Sequence, residues 1–275
     1  MRPFVQVRVP LGRETFQPGR RVSSADPFTN PVTEGGPVSW TRNPGRVAGL
    51  WYLLLVLAGP LRLMYIPAKL FVQGNATATA DNIAAHQWLF RFGMMSDLLA
   101  AVILIFLVLA FYRLFKEVDQ QLAVLLVITG GVMPAVLTLL HVAIDGTALM
   151  IAGAPDFLSV FDKPQRDALV LLFLRFNHYE IVAAEILWGL WLFPMGALAY
   201  KSGFVPRFIG VWLIINGIAY VVLSFTGVLF PEYQNNVFLY SQPALFAEVA
   251  IMLWLLIKGA NPHASPVPVA GLTVG

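Results

Sequence analysis

Eight ionisable side chains stand inside or at the ends of long apolar stretches: Arg62, Asp97, His141, Asp145, Arg175, His178, Glu185 and Glu248. A charged group in hydrocarbon is costly unless it is paired, hydrogen-bonded or wet, so each is a candidate ligand-binding residue. Carboxyls can hold a cation or a proton, and the arginines can neutralise them. Five carboxyls (Asp97, Asp145, Glu180, Glu185, Glu248) against Arg62 and Arg175 favour a cationic or protonatable ligand over an anion. At about 100° per helical residue, Arg175, His178, Val182 and Glu185 share an arc of about 80°, while Glu180 points the opposite way. This stripe predicts that Arg175, His178 and Glu185 face a bundle interior near Arg62 and Asp97, without Glu180. His141 and Asp145, at i and i+4, share a face as well.

Covalent and metal chemistry have less support. The chain has no cysteine, which removes disulfides, thiolate metal sites, iron–sulfur clusters and a cysteine nucleophile together. It contains no HExxH, GxSxG, P-loop or GxGxxG pattern. His141 and Asp145, with His178 as a third ligand, are the metal set that the spacing allows. His178 and Glu185 stand about 10 Å apart along a helix, too far to share an ion. No catalytic residue, metal set or cofactor is assigned, and the pattern reads as a binding protein rather than an enzyme. His86 and His263 read as solvated side chains. Asn216, Tyr220 and Ser224 recur every four residues, and either line the same cavity or bond between helices.

These residues need elements to hold them. Hydrophobic residues are 58% of the 275 and charged residues 12%, too little polar surface for a water-soluble globule. The apolar runs read as six membrane-spanning helices, each near the length that crosses a bilayer core. They cover roughly 47–67, 89–115, 122–151, 169–200, 208–230 and 239–258. Pro60, Pro134 and Pro194 fall inside the first, third and fourth and are expected to kink them. With the N-terminus inside, twelve Lys and Arg residues collect on the cytoplasmic side, against Lys69, Arg91, Lys163 and Arg166 outside. Both termini are therefore expected inside. Arg62 then sits about 24 Å up its helix and Asp97 about 9 Å below the outer surface, so the polar groups converge on an outward-facing region.

Residues 1–43 are rich in Arg, Pro and Gly and read as a flexible cytoplasmic tail, or, through the alternation "FVQVRV", as an edge strand for a partner. Residues 44–259 form the six-helix domain and 260–275 a second flexible tail. The loop "VFDKPQRDA" reads as a turn into the fourth helix, and Asn75-Ala-Thr77 is a weak glycosylation sequon. A net charge of +3 gives nucleic-acid binding no support. The N-terminus lacks the apolar segment of a signal peptide.

Four stretches carry a resemblance: "RVAGLWYLLLVLAGPL", "LFVQGNATATADNIAAHQWLFRFGMMSDLL", "LWLFPMGALAYKSGFVPRFIGVWLIINGIAYVV" and "LWLLIKG". Together, over roughly Arg46 to Gly259, they resemble the domain of unknown function 4386 family of bacterial integral membrane proteins. The "KSGFVPRFIG" turn and the "ATADNIAAHQWLFRFG" segment are the most specific parts. The resemblance implies a six-helix, multi-pass domain in a bacterial cytoplasmic (inner) membrane and carries no activity with it.

Four readings of the ionisable groups stay open. They pair to fix helix order, they line a cavity that binds or transports a small solute or ion, they belong to an accessory subunit of a larger membrane complex, or they hold a metal. The cavity is the favoured functional reading and the accessory subunit its alternative. The expected partners are the lipid bilayer and, through the N-terminal tail, a membrane-complex protein.

Overall fold

The computed structural model describes residues 43–260. Both tails, with the "FVQVRV" segment and His263, lie outside the described residues. Five stretches are long and apolar enough to cross a membrane. They are α4 (Gln87–Phe115), α5 (Gln120–Val127) joined to α6 (Met133–Ala152), α7 (Lys163–Ser202), α8 (Arg207–Leu229), and α9 (Gln234–Ile257) with the short turn before it. The chain is a membrane protein, all-α across the described residues.

The first expected span is not one regular helix. α1 (Pro44–Pro60) has 17 residues, short of the roughly 20 that a bilayer core needs. It continues through a π-helical turn, Leu61–Tyr65, into α2 (Ile66–Leu70). A second π turn, Ile128–Val132, joins α5 to α6. Both turns adjoin a proline that lacks the N–H for an i→i−4 bond, and the wider π spacing accommodates the missing donor. Met133 N–H accordingly reaches back to the Ile128 carbonyl. Pro194 stays within α7, which runs on to Ser202.

Side-chain caps set the helix starts. Asn43, Asn75, Asp119 and Asp162 each accept a backbone N–H in the first turn of α1, α3 (Ala76–Ala85), α5 and α7. Asp162 and Gln165 form a reciprocal capping box, which explains the turn in "VFDKPQRDA". α3 lies where the sequence suggested a loop, and Asn75 of the sequon is its cap. Thr79, Ala80 and Ile83 are buried, and Asn82 Nδ2 donates to the Leu70 carbonyl at 3.2 Å, closing the end of α2. Past α7, Gly203 takes the left-handed conformation (φ 74°) that turns the chain into α8.

The tightest packing is α7 on α8. Gly189 lies against Gly217 and Gly196 against Gly210, and a Cβ on Gly196 would stand 2.7 Å from the Gly210 carbonyl oxygen. Small residues at this spacing let the two backbones touch. At one end of the bundle, Asn43 Oδ1 accepts from Ala260 N at 2.9 Å and Lys201 pairs with Asp119 at 2.9 Å. The Lys201 hydrogen bond, then the Leu122 amide, hold the Asp119 carboxyl below its usual range. At the other end Lys163 bridges to Asp81 at 2.8 Å and ties α7 to α3.

Two apolar clusters follow from this pairing. One contains Tyr52, Phe111, Phe115, Trp191 and Leu192, the other Ile66, Ile83, Phe90 and Val170. Along α1, α4 and α7 the polar residues fall between the two.

Candidate functional site

Arg62 leaves the first helix at its π turn, buried, and donates in three directions. Nε reaches Asp97 Oδ2 on α4 at 2.9 Å, and Nη2 reaches both Asp145 Oδ2 and His141 Nε2 on α6, the latter at 2.9 Å. Because the guanidinium only donates, His141 must present an unprotonated Nε2 to it. The opposite nitrogen, Nδ1, faces Glu180 Oε2 on α7 at 3.2 Å, so the tautomer protonated at Nδ1 satisfies both contacts. Asn177 Nδ2 donates to Asp145 Oδ1 at 3.0 Å and to the His141 carbonyl at 3.3 Å. Each of the three carboxyls thus meets an N–H of the protein.

A second polar group lies further along α9. Glu248 Oε2 accepts from Tyr52 Oη at 2.6 Å and Oε1 from Asn216 Nδ2 at 3.2 Å. Tyr220 stands on the same stretch of cavity wall as this carboxyl. Both groups border a single cavity of about 290 Å³. Arg62, Asp97, His141 and Glu180 form one part of its wall and Glu248 and Tyr220 another. Trp188, Trp191, Leu55, Leu104 and Leu137 supply much of the apolar lining. Gly130, from the second π turn, lines it as well, so both helical distortions open onto this space.

The structure therefore brings Arg62, Asp97, His141 and Asp145 together and places Glu248 on the same cavity. It does not bring in Arg175 and His178, which are exposed. Glu180, expected to point away, is inside. The expected inward face of α7 is therefore the wrong one: the structure turns Glu180 to the cavity and leaves Arg175 and His178 outside it. The cavity-facing arc of α7 runs through Glu180, Ala184, Trp188 and Trp191, centred about 140° away from the arc through Arg175, His178, Val182 and Glu185. Val182, Gly189 and Gly196 instead face α8, whose Gly227 lies against Val182. α8 ends two residues later, at Leu229, so the turns of α7 that carry Arg175 and His178 extend past it. Glu185 sits half-buried beside this contact and off the cavity wall, its Oε2 buried without a hydrogen-bond partner among the described residues.

Asn177 and Tyr52 were not singled out from the sequence. Asn177 carried a usable signal, a polar residue one helical turn from Glu180. Tyr52 carried none, since a tyrosine in an apolar helix reads as packing. Of the polar series on α8, Asn216 meets Glu248 and Tyr220 lines the cavity, while Ser224 Oγ bonds the Ala183 carbonyl at 3.3 Å.

Ligand atoms of Asp97, His141 and Asp145 lie within 4.8 Å of one another, a metal-sized grouping. The residues do not fit a metal as they stand, because the Arg62 guanidinium already occupies the inward-facing positions of all three. His178, proposed above as a third ligand, is not in the group.

A family model matches residues 47–259, described as "Domain of unknown function (DUF4386)". The chain belongs to this family. Among curated proteins, an "Uncharacterized protein" of Archaeoglobus fulgidus is 35% identical over 77 residues, 27% of this chain and 43% of that protein. The match thus spans less than half of that relative's length. No solved structure matches.

Proposed function

We propose that this DUF4386 protein binds a small protonatable or cationic solute, or an ion, in the cavity between its helices, and that a transport step across the membrane follows from such binding. The observation that carries this reading is the convergence of three carboxyls and one guanidinium (Asp97, Glu180 and Glu248 with Arg62) on one mostly apolar cavity. Ligand pockets have this character: apolar walls with a few fixed polar groups. The volume sets the scale of the ligand, a compact molecule rather than a lipid chain. In this reading α1, its π turn and α2 together make a sixth span and both termini are cytoplasmic, in a bacterial inner membrane. The excess of Lys and Arg at the end that carries Arg46, Arg113, Lys201 and Lys258 supports that orientation.

Purification in mild detergent, followed by mass spectrometry of extracted small molecules, tests the reading. Wild type should carry a small molecule that A58W, which fills the cavity from α1, does not. A stable stoichiometric protein partner with no small molecule would instead favour an accessory subunit. Orientation has its own test, because each introduced cysteine is unique in this chain. G74C should react with an impermeant reagent in intact cells and S202C should not; the reverse labelling would overturn the orientation.

A further inference from the structure

We propose that the Glu248 part of the cavity recognises an organic cation, an amine or quaternary ammonium on a compact apolar body; this rests on the cavity reading above. The two polar groups differ in what balances them. The carboxyls of Asp97 and Asp145 touch a guanidinium directly, and that of Glu180 is linked to the same guanidinium through the neutral His141 ring. Among the described residues the partners of Glu248 are neutral: the Tyr52 hydroxyl at 2.6 Å and the Asn216 amide at 3.2 Å. Neutral donors orient the carboxyl but supply no positive charge. An ionised Glu248 in a low-dielectric interior needs a cation from outside, since Arg62 is already committed elsewhere.

The surroundings select the kind of partner. Trp188, Trp191 and Tyr220 line the same cavity as Glu248. Trp188 and Tyr220 pack edge to face, centroids 5.9 Å apart at 86°, and Tyr52 and Trp191 pack at 5.9 Å and 64°. Steeply inclined rings of this kind offer π faces in more than one direction, and such faces attract a desolvated cation. A hard metal ion is a poor fit, since it requires several oxygen ligands where this wall offers one carboxyl and aromatic carbon. An ammonium with apolar substituents suits both, with Leu55, Leu104 and Leu137 left to contact its body.

The test uses saturation-transfer NMR on the full chain in detergent, with benzyltrimethylammonium, benzyl alcohol and phenylacetate as probes. Wild type should bind the ammonium in preference to the other two. E248Q should weaken ammonium binding by about tenfold or more, as expected for loss of a charge-assisted contact in a dry site. Benzyl alcohol binding should change by less than about threefold in the same variant. W188L keeps the carboxyl and should weaken the ammonium by about fivefold, which keeps the proposal testable should E248Q fail to fold. Ammonium binding unchanged in E248Q, or in W188L, would overturn the inference. Binding of only benzyl alcohol or phenylacetate would overturn it while leaving the cavity reading intact. Failure of wild type to bind any probe also overturns it, and the cavity reading is then judged separately by the A58W comparison.

Discussion

The Arg62 and Glu248 clusters are both polar islands in an apolar bundle, yet they are built on opposite principles. Around Arg62, one guanidinium ties the first helix to α4 and α6, and His141 extends the ties to α7. Four segments are cross-linked by groups that satisfy one another. Around Glu248, one carboxyl collects a hydroxyl from α1 and an amide from α8, and no cationic side chain touches it among the described residues. In the function proposed above, the first cluster fixes helix order and the second keeps binding capacity for something from outside, so the pairing and cavity readings of the sequence each have their own place in the molecule.

The comparison breaks most visibly at Arg62. R62L should destabilise the detergent-solubilised protein by about 3–5 kcal/mol, because it leaves Asp97 and Asp145 without their cation. The triple change R62L/D97N/D145N should regain most of that loss in thermal unfolding. If the triple variant is no more stable than R62L, the cluster is not the structural lock inferred here. Next in size is the α7–α8 contact. G196A should cost about 1–3 kcal/mol by driving a methyl group into the Gly210 carbonyl. E248Q should be nearly neutral for stability, within about 1 kcal/mol, since losing a carboxyl that no cationic side chain touches offsets a weakened hydrogen bond. A large loss of stability in E248Q would place it in the same class as Arg62. The smallest effect belongs to R175Q/H178N, within about 0.5 kcal/mol, because both side chains are exposed beyond the end of α8.

Much of this arrangement was legible in residue order. Apolar run lengths located the helices, and depth along each helix placed Arg62, Asp97, His141 and Asp145 at one level. Periodicity on α7 was less informative, because that helix buries two faces. A single angular arc cannot tell the face toward α6 from the face toward α8, and only the glycines 189 and 196 mark the α8 contact in the sequence. The π turns were hidden for a different reason. Prolines at positions 60 and 134 announce a lost donor, but whether the backbone kinks or widens depends on the neighbours that pack around it. α3 escapes a search for spans because a ten-residue helix has neither the length nor the apolarity of one.

Reactivity at Thr138 bears most directly on the central claim, a solute-accessible cavity whose charge balance favours cations. Thr138 lines the cavity, and T138C introduces the only thiol in the chain. It should react with a small cationic methanethiosulfonate about tenfold faster than with its anionic sulfonate counterpart, the size of effect expected where the cavity wall carries more carboxyls than cations. E248Q in the same background should reduce that preference. No reaction with either reagent, in a variant that unfolds at the wild-type temperature, would contradict the accessible cavity, and faster reaction with the anion would contradict its charge.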